Sequence, residues 1–145
     1  MASSFDHYQE RLGNELFREL FQLVLADRGS EYEKFHLFER DANGNDRLRI
    51  FYCDPMQSSQ KPYVENNLNF VRDIIPNGKP LDSLSQDDID LMFSHINSVP
   101  RKIMKGRTPF QAFSFFFGDE ITEKLDITTI PPDNVVLRPS LIFRC

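Results

Sequence analysis

The chain has 145 residues, of which 40% are hydrophobic and fourteen are Phe; that apolar mass suits one globular domain and excludes wholesale disorder. Its 22 acidic against 17 basic side chains give a net charge of −5. That balance speaks against a protein that coats nucleic acid with a broadly basic surface, but leaves room for a local basic patch and for acidic metal ligands.

Phe5, Tyr8, Leu12, Leu16 and Leu20 recur at three- and four-residue steps, with Phe17 and Phe21 alongside. This spacing predicts an amphipathic helix, which Gly13 weakens by roughly 1 kcal/mol relative to alanine and can break or kink. The short apolar run Gln22–Ala26 reads as a buried strand, closed by the turn Asp27-Arg28-Gly29-Ser30. Around Asn43-Gly44, His36–Arg40 and Arg47–Cys53 read as the two arms of a β-hairpin. A polar, proline-bearing loop from Asp54-Pro55 leads into a helix starting near Tyr63, with Val64, Leu68, Val71, Ile74 and Ile75 on one side. Glu65, Asn69 and Arg72 form a separate stripe on it.

Ser85-Gln86-Asp87-Asp88 is a capping-box start for a helix through Ile89, Met92, Phe93 and Ile96, ended by Pro100. Arg101, Lys102, Lys105 and Arg107 then place four cations in seven residues, the only dense basic cluster of the chain. Thr108-Pro109 opens a Phe-rich helix that Gly118 closes. A short helix is expected around Ile121–Leu125, and the proline-bearing remainder reads as extended. No run reaches the length of a membrane span, and Met1-Ala2-Ser3-Ser4 leads into a charged amphipathic segment, not a signal peptide. Cys53 and Cys145 lack metal-ligand spacing and read as reduced thiols of a cytoplasmic protein.

Taken singly, the candidate residues are ordinary. Asp27 opens an Asp-X-Gly turn, Asp54 precedes proline, Glu65 is one glutamate on a helix and His95 is a helical histidine of structural type. The basic cluster is either a solvated loop or a phosphate-contact patch. No Gly-rich phosphate loop, His-rich metal motif or Ser/His/Asp constellation is present in the sequence.

Their order is more informative. Asp27-Arg28-Gly29-Ser30-Glu31-Tyr32 is followed by Tyr52-Cys53-Asp54-Pro55, by Gln60-Lys61 with Glu65-Asn66, by Arg72, and by Ile75-Pro76-Asn77-Gly78. His95-Ile96-Asn97-Ser98-Val99-Pro100-Arg101-Lys102 and Gly106-Arg107-Thr108-Pro109-Phe110 come next. This ordered set resembles the DDE transposase/integrase family, in particular its bacterial insertion-sequence-thirty branch. The resemblance implies an α/β, RNase H-like fold, a mixed sheet flanked by helices, here without its first strands. Residues 1–118 would then be the C-terminal part of a catalytic core, and 119–145 a C-terminal extension.

The resemblance further implies that Asp27 and Glu65 are the second and third members of a carboxylate triad. In the intact parent that triad holds two Mg²⁺ or Mn²⁺ ions for cleavage and transfer of DNA strands during transposition. Lys61, Asn66, Arg72, Arg101 and Lys102 become candidate DNA contacts, and a homo-oligomer acting on transposon ends and target DNA is the expected assembly. The pattern departs from the family at the first aspartate, which has no counterpart, at Pro62 in place of a glycine, and at Asn77 in place of a lysine. A chain with two of three ligands is expected to be inactive alone. The alternative is a non-catalytic interaction or dimerisation module built on the exposed sheet edge and the Phe-rich helix.

Overall fold

The computed structural model describes residues 2–26, 36–54 and 62–143, with side chains from residue 5 in the first stretch and from residue 66 in the last. The chain mixes helices and strands and divides into two compact units, residues 1–61 and 62–145.

In the first unit the predicted amphipathic helix is two helices, α1 (Ala2–Leu12) and α2 (Asn14–Leu20). They part at Gly13, whose φ of 79° lies in the region that side chains avoid. Phe17 is fully buried, and the rings of Phe5, Phe17, Phe21 and Phe38 meet at centroid distances of 4.7 to 6.4 Å, mostly edge to face. Strand β1 (Leu23–Ala26) pairs in parallel with β2 (Arg49–Tyr52), in the register Leu23↔Arg49 to Ala26↔Tyr52. One more bond, from the Cys53 N–H to the Ala26 carbonyl at 2.9 Å, carries the pairing past the end of β2. This parallel pair is the sheet of the described residues. β1 is less covered than its apolar sequence predicts, since Leu23 and Leu25 are 54% and 50% exposed.

The expected hairpin does not form. Residues His36–Glu39 make one helical turn, α3, and only an isolated bridge, Arg40 with Asp46, spans the Asn43-Gly44 turn. Two local causes are visible. A type I′ hairpin turn needs positive φ at both central residues, and Gly44 adopts it (82°) while Asn43 does not. Asp41 instead organises the turn, its Oδ1 accepting the N–H groups of Asn43 and Asn45 at 2.9 Å. The third cause is tertiary. Arg47 is buried and donates to the carbonyls of Phe38 (2.6 Å) and Leu37 (2.9 Å) and to the Asp6 carboxylate of α1. Those bonds fold the 36–39 segment as a turn under α1, and Arg49–Tyr52 finds its partner in β1.

In the second unit, α4 (Pro62–Ile74) and α5 (Gln86–Asn97) pack through a core of Ile74, Met92 and Ile96, flanked by Phe70, Val71, Leu137 and Leu141. Leu68, expected on that face, is 43% exposed, and Phe70 packs there instead. The Ser85 hydroxyl accepts the Asp88 N–H at 3.1 Å while the Asp88 carboxylate accepts the Ser85 N–H at 3.0 Å, so the capping box is complete. Thr108 and Gln111 repeat the arrangement at the start of α6 (Pro109–Phe117), and α7 (Asp119–Lys124) follows after Gly118.

The tail beyond α7 is extended between two 3₁₀ turns, Pro132–Asn134 and Pro139–Leu141. It is bound to α5 through side chains, not through a strand ladder. Thr128 N–H donates to Ser94 Oγ (3.1 Å), Ile130 N–H to Ser98 Oγ (2.9 Å) and Val136 N–H to His95 Nδ1 (3.0 Å). His95 is thereby a structural acceptor, and its burial holds its pKa below the ordinary value.

Candidate functional site

The expected site residues fall into two groups. Asp27 follows Ala26, the last residue of β1, and lies outside the described residues, as does Lys61. Glu65 is in the first turn of α4, and its side chain is likewise not described. Among the described residues no group of three His, Cys, Asp or Glu side chains is placed to hold a metal ion. The parallel register sets the C-terminal ends of β1 and β2 side by side, with Ala26 opposite Tyr52. Asp54 is exposed two positions beyond that end, and Cys53 is buried. Ligands of parallel sheets gather at the carboxyl ends of the strands.

Asn66, Arg72, Arg101 and Lys102 are all in the second unit. Arg72, near the end of α4, spends one N–H on Asn69 Oδ1 at 3.4 Å and is exposed. Arg101 is more constrained. Its guanidinium carbon lies over the Phe70 ring, 3.9 Å from the centroid, a close cation–π contact. Its Nη2 donates to the Ile96 carbonyl at 3.1 Å, near the end of α5, and to Asn67 Oδ1 at 3.4 Å. Partial burial lowers its pKa, but a guanidinium remains charged at neutral pH.

Arg101 also closes the basic cluster into a ring of main-chain bonds. Its N–H donates to the Arg107 carbonyl and its carbonyl accepts from Met104 and Gly106, each at 3.0 Å. Lys105 (φ 53°) and Gly106 (φ 85°) turn the chain back through the left-handed region, and Lys102–Met104 forms a 3₁₀ turn. Lys102, Lys105 and Arg107 are all exposed on this loop, with the Arg107 guanidinium 5.9 Å from the Phe115 ring.

Beside the loop runs a groove of about 450 Å³. Asn66 and Asn67 of α4, Asn97 of α5, Arg101, Ile103 and Met104 of the loop and Pro109 of α6 line it. Of the five expected DNA contacts, Asn66 and Arg101 therefore meet at one groove, and Lys102 stands on the loop that borders it. Sequence reading missed Asn67, Asn97, Ile103, Met104 and Pro109. The motif His95–Lys102 did contain Asn97, but nothing in its spacing tells that this helix end lines a groove.

No family model and no solved structure matches the chain. Curated proteins do. The transposase for insertion sequence element IS1086 of Cupriavidus metallidurans is 30% identical over 95 residues, 66% of this chain and 27% of the relative. Transposase InsI for insertion sequence element IS30A of Escherichia coli is 31% identical over 91 residues, 63% of this chain and 23% of the relative. The transposase for insertion sequence element IS4351 of Bacteroides fragilis is 25% identical over 96 residues, 66% of this chain and 28% of the relative. Over about two thirds of its length, then, this chain is a homologue of insertion-sequence transposases, of whose own length the match spans between 23% and 28%.

Proposed function

We propose that this chain is part of the catalytic region of an insertion-sequence transposase, an RNase H-like domain in which Asp27 and Glu65 are metal ligands. The observation that carries the reading is the similarity to transposases over about two thirds of the chain. The parallel pair β1–β2 supports it, because Asp27 directly follows the carboxyl end of β1. The donor chemistry fits a hard divalent cation, since carboxylate oxygens are what Mg²⁺ and Mn²⁺ prefer. The similarity to transposases does not favour the interaction-module alternative.

In this reading the residues divide the work by chemistry. Asp27 and Glu65 hold the metal through their carboxylates. Bound there, it supplies Lewis-acid activation of the attacking hydroxyl or water and stabilises the leaving oxygen of a DNA phosphodiester. Lys61, Asn66, Arg72, Arg101 and Lys102 position the DNA through its phosphates, contacts that fix register without reading sequence. Two carboxylates leave a two-metal site one ligand short, so the chain by itself is expected to bind metal weakly and to be inactive, and to gain activity within a longer, homo-oligomeric parent.

The test is Mn²⁺ titration by calorimetry, carried to high metal concentration, on this unsubstituted chain and on Asp27→Ala and Glu65→Ala. Each substitution is expected to abolish the saturable heat. Unchanged Mn²⁺ affinity in both variants would remove the catalytic assignment.

A further inference from the structure

The groove beside the basic loop is not explained by phosphate contacts, which need exposed cations and no cavity. Its walls have a mixed character. Asn66, Asn67 and Asn97 line it beside Arg101, and Ile103, Met104 and Pro109 complete a surface that is mainly apolar. Asn67 already accepts from Arg101 through its Oδ1, which leaves its NH₂ to donate. Arg101 reaches the groove as a planar cation held by the Phe70 ring and by two acceptors. Guanidinium planes fixed in this way are platforms on which unstacked bases lie.

We propose that this groove seats an unpaired nucleobase of a single DNA strand, stacked on Arg101, while Lys102, Lys105 and Arg107 hold the flanking phosphates. The proposal rests on the transposase reading above and extends it from phosphate positioning to capture of an unpaired base. Charge complementarity selects a nucleic acid, since four cations are gathered in seven residues of a chain whose net charge is −5. The asparagines and Arg101 among the lining residues offer a base edge hydrogen-bond partners that an apolar peptide would not use. The groove selects a single strand over a duplex, whose bases stay inside the stack.

The experiment is fluorescence anisotropy on the full chain, with one labelled mixed-sequence oligonucleotide presented single-stranded and annealed as a blunt duplex, over a salt series. The single strand is expected to bind roughly tenfold more tightly than the duplex. Joint replacement Ile103→Ala and Met104→Ala should erase that preference and leave duplex affinity unchanged. Ile103 is 63% exposed and Met104 37% exposed, so their truncation does not threaten the fold. Lys102→Ala with Lys105→Ala should instead weaken both forms alike and flatten the salt dependence. Equal binding of the two forms, with the lysine effect intact, would overturn the groove proposal and leave the DNA reading standing. A preference that survives the Ile103/Met104 replacement would likewise overturn it. Binding of neither form at low salt would overturn both.

Discussion

Arg101→Ala tests whether the Arg101 side chain is a structural element of the groove or a freely moving surface cation. The side chain makes a ring contact at 3.9 Å and a charged hydrogen bond of 3.1 Å to the Ile96 carbonyl, plus a long one to Asn67. A partly desolvated cation–π contact contributes about 1 kcal/mol. The bond to Ile96 contributes roughly another 1 kcal/mol once its partial exposure is discounted, and the 3.4 Å bond adds little. The expected loss is therefore about 2 kcal/mol. Arg101→Lys keeps the charge but not the guanidinium plane over the ring, and should lose about half as much.

Urea unfolding followed by far-UV circular dichroism is the assay, since the chain has no Trp. A midpoint shift on the order of 1 M is expected for Arg101→Ala. Because the chain forms two units, hydrogen exchange in α4 and α5 peptides must locate the loss in residues 62–145. A loss below about 0.5 kcal/mol, or equal effects of Ala and Lys, would refute the cation–π argument; the first is the range of an ordinary exposed side chain.

Two further outcomes follow from single residues. His95 has a folded pKa below its ordinary 6.5 because it is buried. The unfolded chain therefore binds the proton more readily, so His95 contributes stability above pH 6.5 that is lost as pH falls through the folded pKa. Protonation would also turn Nδ1 from acceptor to donor against the Val136 N–H. A stability–pH profile of the parent chain should fall in this window, and that of His95→Gln should be flat there. At Gly13, a Cβ would meet nothing within 4 Å, yet φ is 79°. Gly13→Ala should thus cost about 1 kcal/mol in a thermal or urea melt from backbone strain alone; a neutral or stabilising result would mean that the α1–α2 break is not there in solution.

Much of the helical structure was legible because its signals are local. Ser85 with Asp88, Thr108 with Pro109, and Gly13 and Gly118 fix helix boundaries by chemistry within one turn. The strand pairing was not legible. Asn43-Gly44 is a strong hairpin signal, but what decides the matter is Arg47 bonding to Leu37, Phe38 and Asp6, and β1 offering its edge to Arg49–Tyr52. Neither can be read from the turn. The groove was illegible for the same reason, being assembled from α4, the end of α5, the basic loop and the start of α6. Its cations were visible as composition, whereas the contact of Arg101 with Phe70 joins residues far apart in sequence.

The basic loop separates shape from charge. Its turn is closed by the main chain of Arg101, Met104, Gly106 and Arg107 and by the left-handed pair Lys105–Gly106. The side chains of Lys102, Lys105 and Arg107 take no part in that closure. Lys102 and Arg107 can therefore be exchanged for neutral or acidic residues without reshaping the backbone, and Lys105, at φ 53°, for Asn or Asp, which tolerate the left-handed region, as long as Gly106 stays. Such a loop acts as a dial: substitution can tune its electrostatic attraction for a polyanion in single-charge steps, and selection or engineering can turn it without putting the fold at risk.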